Sequence, residues 1–309
     1  MKAGVNWGLV AHCIELSWYE RCMIGRGAAL HESSRLLDSS RLSLKDQRWK
    51  IPKNEGRPSM MHPVRTLLSA TLLACFTTLP AYASESAHWG YAGDGSPEHW
   101  GEVDTHFAEC QLGHNQSPIN IRRSEHTRHT PLVLKVGSGE QKIVNNGHTV
   151  EVIPEGGKPT QLTLDGDVYT LQQFHFHTPS ENTLDGKQFP LEGHFVFMHD
   201  AQPLVLAVMY EDGAPSKALV PFINQLKNVP HEETPLAQTV DLKALLPQSL
   251  HYYRFSGSLT TPPCSEGVIW LVLDHHVKLS LAQLGAFEQA IGLHNNRPVQ
   301  PLNGRVITD

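Results

Sequence analysis

The run 168–177 closes on Gln173-Phe174-His175-Phe176-His177 and mixes aromatic, aliphatic and polar residues at period 2, the pattern of a β-strand. Successive strand side chains point to opposite faces, so His175 and His177 share one face and Phe174 and Phe176 the other. Two imidazoles about 7 Å apart along a strand can converge on one metal ion if a neighbouring strand brings a third ligand. The next apolar run, 189–198, carries Glu192-Gly193-His194, and Glu192 and His194 again share a face. A single strand histidine is more often a packed or surface residue; the His-x-His followed one hairpin later by Glu-x-His carries the metal reading. Three neutral imidazoles with a fourth position left to water are the pattern of a catalytic zinc site. Structural zinc usually closes its sphere with cysteine, and no cysteine pair here has ligand spacing. Imidazole also suits copper, iron and nickel, so the spacing by itself does not name the metal.

Further blocks stand in a fixed order along the chain. They are His88-Trp89-Gly90-Tyr91, Gln116-Ser117-Pro118-Ile119-Asn120-Ile121, Asn145-Asn146-Gly147-His148, Ser180-Glu181-Asn182 and Ser258-Leu259-Thr260-Thr261-Pro262-Pro263-Cys264. With the two histidine motifs they resemble the signature blocks of the α-class carbonic anhydrases, over roughly residues 88–307. The resemblance implies an exported bacterial enzyme that hydrates CO2 reversibly to bicarbonate. Zn2+ would be held by His175, His177 and His194, and hydroxide at the metal would attack the substrate carbon. Thr260 matches the threonine that accepts that hydroxide's hydrogen bond and passes its own to Glu181. Thr261 matches a neighbour that contacts substrate or deep water. His148 matches the proton shuttle, a role suited to an imidazole whose ordinary pKa is about 6.5. Gln173, Glu192 and a backbone carbonyl near Asn295 would orient the three ligand rings. Tyr91 would help order water at the mouth.

Val196, Val205, Leu259 and Trp270 match the apolar wall for CO2; without the resemblance they read as core. Inhibition by sulfonamides and small anions is implied as well, and a homodimer is compatible with the family. Two other functions are open to such a chain: a catalytically dead relative serving as a binding module, and a zinc hydrolase of esters. The first usually lacks a ligand histidine, and all three are present. The second is disfavoured by the apolar wall. Phe197 stands where relatives often carry His, an outer change that should not touch the metal. Glu151 replaces a more common neutral residue beside the shuttle.

Charge divides the chain. Residues 1–83 carry eleven Lys and Arg against six Asp and Glu, whereas 84–309 carry fourteen against twenty-five, a balance of −11. The acidic main body argues against nucleic-acid binding through a basic face. Residues 60–83 combine Met60-Met61-His62-Pro63-Val64-Arg65, an apolar run of about fourteen residues and Ala81-Tyr82-Ala83. That is the layout of a secretory signal peptide, and the run is too short to span a bilayer comfortably. Signal peptides sit at the amino terminus, so residues 1–59 are expected to be an over-extended start, with translation beginning at Met60 or Met61. The alternative is a genuine disordered extension or cytoplasmic segment. Cleavage after Ala83 ranks above lipid attachment at Cys75. The mature protein would be periplasmic or secreted, with no membrane attachment once the signal is removed. Only Cys110 and Cys264 then remain, an even number in an exported protein, which suggests one disulfide, with two buried thiols as the alternative. The resemblance favours the bond, since the matching positions pair in many bacterial relatives.

Short alternating runs dominate from residue 132: 132–136, 142–144, 149–153, 161–164, 168–177, 189–198, 204–210, 252–256 and 268–273. Turn residues such as Asn145-Asn146-Gly147, Asp165-Gly166 and Asp185-Gly186 separate them. Residues 216–226 and 280–292 read as short helices, each opening on a serine able to cap it. No repeat, glycine-rich phosphate loop or nucleophile elbow is present. The expected fold is α+β and mostly β: one domain over 84–309 around a large, mainly antiparallel twisted sheet.

Overall fold

The computed structural model describes residues 88–122 and 124–309. The expected extension 1–59, the signal peptide 60–83 and Cys75 lie outside the described residues. The strands are β1 (Asn120–Ile121), β2 (Val133–Lys135), β3 (Ser138–Asn145), β4 (Val150–Lys158), β5 (Gln161–Leu164), β6 (Asp167–His177) and β7 (Thr183–Leu184). They continue with β8 (Leu191–His199), β9 (Gln202–Asp212), β10 (Thr234–Pro235), β11 (Tyr252–Ser258), β12 (Glu266–Leu273) and β13 (Val277–Leu279). Eleven strands form one sheet with the path β10-β3-β4-β6-β8-β9-β12-β11, and β1 and β7 form a separate parallel pair. Most pairings are antiparallel, as expected, but β9 runs parallel to both β12 and β13. Among the described residues no helix is long and apolar enough to cross a membrane.

The two faces of this sheet differ in chemistry. Phe174 and Phe176 of β6 pack with Phe195, Phe197, Leu206 and Leu271 from neighbouring strands. Each phenylalanine buried in this way stabilises the fold by about 1.5–3 kcal/mol. Helical residues Phe222 and Phe287 close the layer, with ring centroids 6.1 and 4.6 Å from Phe176. Phe197, the departure noted in the sequence, lies on this core face and away from the histidines.

Strict alternation does not hold along β6. Leu171 pairs with Phe197 and Gln173 with Val196, so a bulge at Gln172 shifts the period by one. Tyr169 and Leu171 therefore join the same core as Phe174 and Phe176. The bulge is what turns Gln173 onto the histidine face.

The helix Leu281–Ile291 opens as read from the sequence. Ser280 and Gln283 form a reciprocal capping box, and Gly292, in the left-handed region at φ 78, ends it. The other helix begins later than expected, at Val220, and no side chain caps it. Ser216 is engaged elsewhere: its backbone N–H donates to Gln283 Oε1 and its carbonyl accepts from Gln283 Nε2. Pro221 near the helix start supplies the fixed φ that suits a first turn.

Candidate metal centre

Register places the three histidines. His175 of β6 faces His194 of β8 directly, and His177 faces Glu192. Their ring centroids are 5.0, 5.3 and 4.5 Å apart, and one nitrogen of each lies within 4.8 Å of the others. Two of the rings are held by a hydrogen bond at the outer nitrogen. His175 Nδ1 donates to Gln173 Oε1 at 2.8 Å, and His177 Nδ1 donates to the Asn295 carbonyl at 2.7 Å. His194 Nε2 sits 3.0 Å from Glu192 Oε1, off the line of a straight hydrogen bond. That leaves Nε2 of His175, Nε2 of His177 and Nδ1 of His194 for a shared ion. His177 Nε2 is buried with no hydrogen-bond partner among the described residues. Burial pushes all three imidazoles below their ordinary pKa, and mutual repulsion lowers His175 and His194 further. They are neutral at neutral pH, the form that binds a metal, so the donor set fits a divalent cation that prefers nitrogen.

Two buried carboxylates stand behind the rings. Glu192 accepts from the Glu181 and Asn182 backbone N–H groups at 2.7 and 2.8 Å and from Asn182 Nδ2 at 2.8 Å. Glu181 Oε1 accepts from the Arg297 backbone N–H at 2.8 Å, while Oε2 has no well-aligned partner among the described residues. Burial raises the Glu181 pKa well above the carboxylate range, opposed by the Arg297 N–H and the neighbouring Thr260 hydroxyl. Thr260 itself is buried. Its loop is fixed by Leu259 N–H donating to the Ser265 carbonyl and Cys264 N–H donating to the Thr261 carbonyl, both at 2.9 Å. Cys110 and Cys264 are joined by a disulfide across 154 residues.

Three of the four apolar residues singled out in the sequence share one row. Gln173, Val196, Val205 and Trp270 are successive cross-strand partners on β6, β8, β9 and β12. Val196, Val205 and Trp270 are buried, and the Trp270 ring meets His194 edge-on at 5.0 Å. Leu259 and Thr261 flank Thr260 and are half-buried. His148 sits at the rim, half-buried, with its ring stacked on Trp89 at 3.7 Å and 8°. Burial first, then the nearby His88, pushes its pKa down to about 4. Its turn is held by Asn146 Oδ1, which accepts from the His148 and Thr149 N–H groups. Tyr91 lies edge-on to Trp100 and is pushed up by burial and by Glu181. Glu151 is the cross-strand neighbour of His175, and Asn146 Nδ2 donates to its Oε2 at 3.4 Å.

Three positions carry more of this site than the sequence reading gave them. The Asn295 side chain accepts from Thr178 N–H and donates to the carbonyls of His148 and Phe176. Arg297 is almost fully buried, and its guanidinium binds Gln116 Oε1 and the carbonyls of Ser117 and Cys110. Gln116 belongs to a recognised block but has no role readable from its spacing. A lone arginine in a loop ordinarily reads as solvated, and no periodic pattern marked Arg297.

The sequence profile of the eukaryotic-type carbonic anhydrases matches residues 95–309. The chain belongs to the α-carbonic anhydrase family. It is 50% identical to a carbonic anhydrase of Pectobacterium carotovorum over 78% of this chain and 97% of the relative. It is 44% identical to a carbonic anhydrase of Neisseria gonorrhoeae over 82% of this chain and all of the relative. Among solved structures it is similar to the α-carbonic anhydrase of Thermovibrio ammonificans in complex with sulfanilamide. That match has 41% identity and a TM-score of 0.69 and covers 73% of this chain and all of the other. Reversible CO2 hydration is the general reaction of carbonic anhydrases, and this chain is an enzyme of that class.

Proposed function

We propose that this carbonic anhydrase uses a zinc ion held by His175, His177 and His194, with His148 carrying the proton to solvent. The observation that supports it most is the buried His177 Nε2, left without a partner where two other neutral imidazoles converge. Bound zinc supplies Lewis acidity that brings a water's ionisation to about pH 7, an effect for which carbonic anhydrase is itself the reference example. Around that ion the residues divide the remaining work. Gln173, Glu192 and the Asn295 carbonyl fix the tautomer and tilt of each ring. The Thr260 hydroxyl would donate a hydrogen bond to Glu181, which leaves its oxygen only to accept and would orient a proton-bearing nucleophile toward the wall of Val196, Val205, Leu259 and Trp270. That wall offers CO2 no competing hydrogen bond. Thr261 would contact substrate or the deeper water, and Tyr91 would help order water at the mouth.

His148 passes protons through water, because its ring rests on Trp89 and not on the three imidazoles. In the pose stacked on Trp89 burial holds its pKa at about 4, too acidic to take up a proton well near neutral pH, so the role calls for the ring to leave Trp89 for solvent, where its pKa returns toward the ordinary value. We also propose that the mature domain is 84–309 and that it is exported after cleavage of 60–83. The Cys110–Cys264 disulfide supports an oxidising compartment. Sulfonamides and small anions are expected to occupy the open position of the ion. His148→Ala should lower kcat in weak buffer, spare kcat/KM and be rescued by imidazole. Equal turnover in weak buffer would remove His148 from the mechanism.

A further inference from the structure

Arg297 is an unusual cation. It is 1% exposed, yet the groups its guanidinium binds are all neutral: Gln116 Oε1, the Ser117 carbonyl and the Cys110 carbonyl, each at 2.8 Å. Its Nε has no hydrogen-bond partner among the described residues, and the guanidinium lies 5.6 Å from the Trp100 ring centroid. Burying a cation without a bonded carboxylate costs several kcal/mol. An apolar side chain of similar volume would leave those three acceptors unpaired, so the cation is tied to this one set of partners.

Its contacts close a circuit. The Arg297 backbone N–H donates to Glu181 Oε1. The guanidinium grips Gln116, and Gln116 Nε2 donates onward to the Cys264 carbonyl and to Glu266 Oε1, both at 3.0 Å. Cys264 is bonded to Cys110, whose carbonyl Arg297 also holds, and its N–H fixes the Thr261 carbonyl beside Thr260. Glu181 and Thr260 come from distant parts of the chain, and this buried path runs from one to the other. Gln116 uses both ends of its amide, so a carboxylate there would set an oxygen against two acceptors.

We infer that Gln116 and Arg297 are positioning residues whose shared brace sets the alignment of the Thr260 hydroxyl on Glu181, and through it the enzyme's preference for proton-bearing ligands. The inference rests on the Thr260–Glu181 relay proposed above. While the Thr260 hydroxyl donates its hydrogen bond to Glu181, its oxygen accepts only, so a metal ligand that carries a proton gains a hydrogen bond that a proton-free one cannot. If the brace slips, the hydroxyl turns free and the preference weakens.

The test compares the zinc-loaded protein's affinities for an aromatic sulfonamide, whose bound nitrogen carries a proton, and for thiocyanate, which has none. In Gln116→Glu and in Arg297→Lys the sulfonamide should weaken by about tenfold, the worth of one hydrogen bond, with thiocyanate unchanged or tighter. Two variants are used so that a folding failure in one leaves the other to decide. Thr260→Ala is the reference and should lose the same preference; if it does not, the relay itself is wrong. If Thr260→Ala loses the preference while both brace variants keep it, the brace is wrong. Arg305→Lys is the structural control, since that guanidinium also binds backbone in this region, at Gln116, Ser256 and Pro301, without reaching Glu181. It should lower the melting temperature and keep the preference. Loss of preference in Arg305→Lys would show that general loosening explains the effect and would overturn the assignment.

Discussion

The two faces of β6 are made from alternate residues of one short sequence and are built to different tolerances. On one face Phe174 and Phe176 meet many apolar neighbours from strands and helices, so each contact is one of several. On the other, His175 and His177 each have one designated partner, Gln173 Oε1 and the Asn295 carbonyl. Packing energy is spread over area, so loss on the first face is graded. Hydrogen-bonded orientation is pairwise, so loss on the second is specific to function. The core face should therefore fail in stability and the histidine face in chemistry.

The sharpest break of that contrast is His194→Ala. It should abolish metal retention on dialysis and reduce CO2 hydration to background, read by metal analysis and stopped flow, with a melting temperature near that of the metal-free parent. Phe176→Ala should do the reverse. A cost of about 3–5 kcal/mol in urea unfolding is expected, with metal content kept in the folded fraction. Should Phe176→Ala lose metal as readily as His194→Ala, the two faces are not separable. Glu192→Gln sits between them: metal affinity should weaken about 10–100-fold, measured by competition with a chelator.

The smallest effect is in pH. His148 has its folded pKa depressed from 6.5 to about 4, so the unfolded chain takes up its proton first on acidification. This residue therefore makes no demand on stability above about pH 6.5, and stability is lost as pH falls from there toward 4, below which both states are protonated. Urea titrations of wild type and His148→Ala should differ by a constant amount above about pH 6.5, and the wild type should lose more stability than the variant between pH 6.5 and 4.

Much of this architecture was legible because period and spacing are local. The run 161–164 is strand β5 as read, and Ser280 announced a capped helix. The convergence of His175, His177 and His194 followed from parity on two strands joined through one hairpin. Even the bulge at Gln172 left a trace, since the apolar positions move from 169 and 171 to 174 and 176. What stayed hidden depends on distant chain segments. The parallel alignment of β9 with β12 and β13 is not encoded in any local pattern. Ser216 looked like a cap because its engagement with Gln283 lies 67 residues away. Arg297 and the Asn295 side chain matter through partners more than a hundred residues earlier.

Asn295 carries a consequence for biogenesis. Its side chain fastens the carbonyls of His148 and Phe176, and its own carbonyl holds His177. A nascent chain emerging from the ribosome or a translocon can pair β6 with β8 early, yet the ring of His177 stays unanchored until nearly the whole polypeptide is out. Capture of the zinc ion proposed above would thereby wait for completion of synthesis, and fragments ending before Asn295 are expected to bind it more weakly.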